Sequence, residues 1–202
     1  MDDIVLRGMA KWPNVPAVYG WLSLDRRGQW LIKGERISNT TVTEFIGRNY
    51  ERDDRGCWFF QNGPQRVFVE LDYAPFVLRV VSAEGAPLEL ATQIGKAAGS
   101  IEGAWLDEDG SLLLAMRDGP GVVDDRDLDR LTACFVDANG NPLEEEVLEG
   151  VLDALAAKRP AAPLWFKLRE SNVKVEPIAA QDVPAKFAFV REPQPPPGEV
   201  KK

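Results

Sequence analysis

The sequence predicts an α+β protein of two related, hairpin-rich units, each a small antiparallel sheet with one helix. Three observations predict this. Short alternating apolar runs flank Gly-containing turns, as in Trp21 to Ile32. Two segments, from Thr41 and from Glu144, instead carry apolar residues at three-and-four spacing. A tryptophan, a charged turn ending in Gly and an apolar strand then recur between Gly103 and Leu114.

The opening residues, Asp2 to Lys11, place Ile4, Val5, Met9 and Ala10 on one helical face, and Pro13 stops that helix. Pro13, Asn14 and Pro16 make a stiff arm that carries Trp12. A hairpin follows, with Asp25-Arg26-Arg27-Gly28 as its turn. Asn39 or Thr40 caps the next helix, whose stripe is Val42, Phe45, Ile46, Asn49 and Tyr50 and whose end falls near Asp53 to Gly56. Strands are expected over Cys57 to Gln61, Val67 to Leu71, Phe76 to Val81 and Leu88 to Leu90, with Asn62-Gly63-Pro64 and Ala83 to Pro87 as turns. Residues 95–103, rich in Gly, Ala and Ser, read as a linker.

In the second half, Gly103 to Leu114 echoes Gly20 to Ile32, and Gly140-Asn141-Pro142-Leu143-Glu144 echoes Gly85-Ala86-Pro87-Leu88-Glu89. Between Glu144 and Lys158, Val147, Leu148, Val151, Leu152 and Leu155 fall on one face, with acids first and bases last, as the helix dipole favours. Leu164 to Leu168, Val173 to Ile178 and Phe187 to Val190 complete the strands. The expected organisation is an N-terminal helix and arm (1–19), a first unit (20–94), the linker (95–103), a second unit (104–190) and a Pro-rich disordered tail (191–202).

Composition narrows the function. The 202 residues contain 24 Lys and Arg against 32 Asp and Glu, and a net charge of −8 opposes approach to nucleic acid. Nothing approaches the ~20 apolar residues that cross a bilayer, and the start lacks a basic-then-apolar leader, so a cytoplasmic protein is expected. Histidine is absent, which removes a serine–histidine–aspartate triad, a cysteine–histidine dyad and histidine-ligated metal from within one chain. Cys57 and Cys134 read as buried free thiols, and no phosphate-binding loop or cofactor fingerprint occurs.

Carboxylates remain as acid and base candidates, at Asp53-Asp54, Asp107-Glu108-Asp109 and Asp124-Asp125-Asp127, although such clusters are usually hydrated turns. Asp137, Asn139, Gly140 and Glu146 match positions of a calcium loop whose first position, Phe135, offers no oxygen, so no metal site is expected. Arg66, Glu70 and Asp72 can share one strand face, beside Tyr73, and form the candidate ligand site. Trp12, alone among six tryptophans in lying on an arm, is the candidate interface residue.

The succession Gly28, Trp30, Ile37, the helix at Phe45, Gly56-Cys57-Trp58, Pro64 and Val69-Glu70 to Ala74-Pro75-Phe76 resembles an uncharacterised bacterial family of tandem α+β units, over residues 20–81. The whole chain, especially Met1 to Val5, Ala10 to Pro16 and Tyr19 to Leu22, resembles a smaller, uncharacterised proteobacterial domain-of-unknown-function family. The resemblance implies two similar units in tandem and a role in ligand sensing or regulation. The second half lacks the Pro-Phe segment, so a site there is implied for the first unit alone. The reading is a binding or regulatory protein, not an enzyme, that holds a small molecule or protein partner between or on its units, with self-association left open. The alternatives are a carboxylate-dependent hydrolase or lyase, and a purely structural oligomer.

Overall fold

Four turns of this chain are built from an aspartate followed three residues later by a glycine, and they seed its strands. At Asp25, Oδ1 accepts from the Arg27 and Gln29 amides at 2.9 and 2.7 Å, and the Gly28 amide donates to the Asp25 carbonyl. The same bonds recur at Asp53 with Arg55 and Cys57, at Asp107 with Asp109 and Ser111, and at Asp137 with Asn139 and Asn141. Each glycine has a φ between 74° and 82°, as a type I turn closed by a G1 bulge requires.

In the computed structural model, which describes residues 1–12, 15–83 and 85–196, those turns organise two units. Unit 1 comprises Met1–Pro75, Gln93–Gly95 and the C-terminal residues from Ala188; unit 2 comprises Phe76–Thr92 and Lys96–Phe187. Pro13 and Asn14 of the expected arm, Glu84 of an expected turn, and residues 197–202 of the expected tail lie outside the described residues.

Unit 1 contains α1 (Asp3–Lys11), β1 (Val18–Leu24), β2 (Trp30–Ile32), β3 (Glu35–Arg36), α2 (Thr40–Arg48), β4 (Tyr50–Arg52), β5 (Trp58–Asn62) and β6 (Gln65–Leu71). Its six-stranded sheet runs β3-β2-β1-β6-β5-β4. Two antiparallel meanders meet along a parallel seam, with Leu22 opposite Val69 and Leu24 opposite Leu71.

Asn39 caps α2, its side chain accepting from the Val42 amide at 3.3 Å. The helix stops at Arg48 instead of continuing toward Asp53. Asn49, fully buried, donates its Nδ2 to the Phe45 carbonyl and accepts the Asp2 amide on Oδ1, and Tyr50 then pairs with Phe60 as a strand. On the other face of the sheet, Tyr19, Cys57, Phe59 and Phe68 cluster with Val190. The Tyr19 and Phe68 rings stack at 4.5 Å.

Unit 2 contains β7 (Phe76–Val80), β8 (Leu90–Thr92), β9 (Ile101–Leu106), β10 (Leu112–Met116), β11 (Gly119–Val123), a 3-10 stretch (Asp125–Cys134), β12 (Phe135–Val136), α3 (Glu145–Ala156), β13 (Trp165–Leu168), β14 (Ser171–Pro177) and the short α4 (Val183–Lys186). Its eight-stranded sheet runs β12-β13-β14-β9-β10-β11-β7-β8. Again two meanders meet along a parallel seam, here Ala104 opposite Val175 and Trp105 opposite Glu176, and a second parallel pairing adds β7 to β11. α3 buries Leu148, Val151 and Leu155, but Val147, expected on that face, is 51% exposed.

The architecture is therefore α+β with two sheets and few helices. Neither sheet is wholly antiparallel as expected, because turn signals dictate only the pairing between neighbours along the chain. The seams join strands some tens of residues apart. Nor does each unit carry one helix: α1 and α2 belong to unit 1, and α3 and α4 to unit 2.

Candidate functional site

Unit 1 holds a cavity of about 560 Å³ between α2 and its sheet. The register explains its floor. Val18 and Phe60 both pair with Val67, Leu22 pairs with Ile32, and Asn62 pairs with Gln65. α2 supplies the roof through Val42, Phe45 and Ile46, whose spacing places them along one side of the helix. The Phe45 and Phe60 rings meet edge to face at 5.4 Å. Gly47 lets the helix lie close to Ile94, since a Cβ there would sit 3.0 Å from that side chain.

Three lining residues are large, apolar and open to solvent: Trp21 at 45%, Ile32 at 46% and Val42 at 40%. Among the described lining residues the polar groups are the carboxamides of Asn62 and Gln65 and the Trp21 indole N–H, and none is charged. Gln65 Nε2 donates to the Pro16 carbonyl at 3.1 Å. Lys33 lies close by, its ammonium 3.8 Å from the centre of the Trp21 ring, without being part of the lining.

The residues picked out from sequence sit elsewhere in unit 1. Arg66 and Glu70 lie on β6 with Phe68, on the face opposite Val67 and Val69, and the Arg66 guanidinium covers the Phe59 ring at 4.6 Å. Asp72 follows the last residue of that strand and is exposed, whereas Tyr73 is buried beneath the Arg26 guanidinium at 4.3 Å. Trp12 is 53% exposed, with Lys11 over its ring.

The acidic clusters serve the fold. Asp53, Asp107 and Asp137 spend an oxygen on two backbone amides each in their turns. This also accounts for the calcium-like spacing around Asp137, whose first position, Phe135, is a buried strand residue. Asp124 and Asp127, both buried, converge on Arg79 at 3.5 and 2.6 Å, and Arg126 Nη2 lies 2.6 Å from Asp124.

The hydrogen bond from the Arg126 side chain, with that residue's amide and Arg79, holds the Asp124 carboxyl down at about 2 against an ordinary 3.8, although burial pushes the other way. Because the folded value is the depressed one, this carboxylate stabilises the fold above about pH 4 and ceases to do so as pH falls toward 2. Thermal melts between pH 5 and pH 2 are expected to show that loss, with a flatter profile in Asp124→Asn. Both cysteines are free and buried, and burial pushes the Cys134 thiol up to about 11.

Unit 2 has a more open hollow of about 660 Å³ beside Trp105, lined by Lys158, Arg159, Glu176, Asp182 and Lys186. Among the described residues no three His, Cys, Asp or Glu gather as a metal site, and no helix is long and apolar enough to cross a membrane. The apolar cavity escaped the sequence reading because its residues have the same alternation as a filled core. Trp21, Ile32 and Val42 carried no mark of being uncovered.

One comparison with a solved structure agrees with the fold. A DUF1285 family protein from Silicibacter pomeroyi DSS-3 is similar at a TM-score of 0.53 and 16% identity, over 81% of this chain and 84% of that one. A second DUF1285 family protein, from Shewanella baltica OS155, is similar at 0.41 and 18%, over 54% and 87%. No curated protein matches the chain. A family model matches residues 1–194, almost the whole length, and the chain belongs to that family, described as "Protein of unknown function (DUF2946)".

Proposed function

We propose that this protein binds a small apolar molecule in the unit 1 cavity and acts as a cytoplasmic binding or regulatory protein. One observation carries the reading. A cavity of about 560 Å³, uncharged among the described residues, opens to solvent beside Trp21, Ile32 and Val42, within the ~300–1,000 Å³ range of ligand sites. Contiguous apolar side chains left open to water cost free energy unless something covers them. The carboxylate-dependent hydrolase draws no support from this cavity, since no carboxyl group among the described residues lines it.

The two units read further as related by duplication. In unit 1 the strands run β3-β2-β1-β6-β5-β4; in unit 2 the matching run is β11-β10-β9-β14-β13-β12, with β7 and β8 added at one edge. The Asp-x-x-Gly turns open the corresponding meanders of both. Aligning those turns sets Gly103, not Trp105, at the place of Trp21, and Gly140 at the place of Gly56. A Cβ on Gly103 would lie 2.3 Å from the Trp105 ring, so the glycine makes room for that indole. On this reading unit 2 lacks a counterpart of the Trp21 indole at that position, which supports a ligand site in unit 1.

The test is titration with the neutral fluorophore N-phenyl-1-naphthylamine. Saturable binding at one site per chain is expected. Val42→Trp, which adds bulk at the cavity mouth on a helix position already open to solvent, should weaken it at least tenfold and shift the melting temperature by no more than about 2 °C. Absence of binding to the native protein, or equal binding to V42W, would sink the reading.

A further inference from the structure

We infer that the unit 1 cavity selects a neutral amphiphile, an elongated apolar molecule ending in a hydroxyl, carbonyl or carboxamide group, and that Asn62 and Gln65 receive that polar end. The inference rests on the cavity being a ligand site. It goes beyond that by fixing the ligand's class and the direction in which it lies.

The cavity's walls sort its chemistry. Val18, Leu22, Phe45, Ile46, Phe60 and Val67 provide carbon surface alone. Asn62 and Gln65 face each other across the β5–β6 ladder, directly beyond the Phe60–Val67 pair and on the same side of the sheet. Two carboxamides therefore stand together at one end of an apolar floor. Each offers both a carbonyl oxygen and N–H donors. Gln65 Nε2 donates to the Pro16 carbonyl, which turns its carbonyl oxygen away from that contact. A hydroxyl can donate to one carboxamide while accepting from the other.

An ionised head group would fare differently. Asn62 is itself exposed, so a head group beside it keeps part of its hydration. A carboxylate or an ammonium still gives up the rest against apolar walls, and no lining residue among those described carries a compensating charge. Lys33 is not itself a lining residue; its ammonium lies over the Trp21 ring. The carboxamide pair partly replaces the water around a neutral polar group, and replaces much less of what surrounds an ion. Chain length then sets affinity through apolar area, while the pair sets the class of head group accepted.

Displacement of bound N-phenyl-1-naphthylamine at pH 7.5 by 1-octanol, octanoate and octylammonium tests this with one tail and three heads. Octanol is expected to displace the probe at a concentration at least tenfold below either ion. In Asn62→Leu/Gln65→Leu that advantage should shrink below about threefold while the probe still binds. Asn62→Asp, close to isosteric and safe for the fold, should favour octylammonium over octanoate by threefold or more. Octanoate matching octanol on the native protein would overturn the neutral class, and an undiminished octanol advantage in the Leu/Leu variant, or no charge preference in N62D, would overturn the carboxamide contact. Each of these results would leave apolar binding standing. Failure of the native protein to bind the probe would overturn the ligand site itself, and this inference with it.

Discussion

Asp127→Ala is expected to lower the melting temperature by roughly 10 °C. The Asp127 carboxylate is buried and its Oδ2 accepts from Arg79 Nε at 2.6 Å and from the Val80 amide at 3.0 Å, so it fastens the 3-10 stretch to β7. Removing it leaves a buried amide without an acceptor and Arg79 without its nearest partner. Bonds to a charged group contribute about 1.5–3 kcal/mol each, and the half-exposed Arg79 recovers part of its share from water. A net loss of about 3 kcal/mol follows, and each kcal/mol moves the midpoint of a chain this long by roughly 2–4 °C. Asp127→Asn keeps an oxygen for the Val80 amide and should cost about half as much. Calorimetric melts of both variants check the order, and equal losses would contradict the role given to the Val80 bond.

Gly56→Ala should be as damaging for two separate reasons. Gly56 has a φ of +82°, which an L-residue with a Cβ pays about 1 kcal/mol to adopt. Its Cβ would also fall 2.4 Å from the Ala188 carbonyl oxygen, a backbone atom with little freedom to move. That carbonyl is itself held by Arg52 Nη2 at 2.6 Å, and the Val190 amide donates to the Gly56 carbonyl at 3.0 Å. Gly110 separates the two causes. It occupies the same kind of turn at +78° with nothing within 4 Å, so Gly110→Ala should lose about 1 kcal/mol and Gly56→Ala about 3. Amide exchange at Val190 should accelerate in the Gly56 variant and stay unchanged in the Gly110 variant. Equal melting temperatures for the two would show that the contact with Ala188 is not a constraint.

Local chemistry was legible in the sequence, and long-range pairing was not. The Asp25 to Gly28 turn, the Asn39 cap and the Leu148, Val151 and Leu155 stripe declare themselves through residues close in the chain, and each stands where expected. The parallel seams do not, because nothing in Val18–Leu24 names β6 as its neighbour. The helical pattern running through Tyr50 misled for a related reason. Asn49, with side-chain bonds to both Phe45 and Asp2, ends the helix by a contact that spans 47 positions. Arg66, Glu70, Asp72 and Tyr73 drew notice by polarity, whereas the cavity is apolar. Asn62 was visible only as part of a turn and Gln65 not at all, and their meaning comes from the Phe60–Val67 pair beside them.

Ala188 to Arg191 belong to unit 1, yet they follow all of unit 2 in the chain. During synthesis β1 to β6 therefore emerge long before the strap that closes over Cys57 and reaches Leu71 through the Arg191 carbonyl. Until the ribosome has made residue 191, the face bearing Tyr19, Phe59 and Phe68 lacks Val190, and the growing chain carries an incomplete first unit while the second is being made. The first unit is thus sealed only after the second has been made.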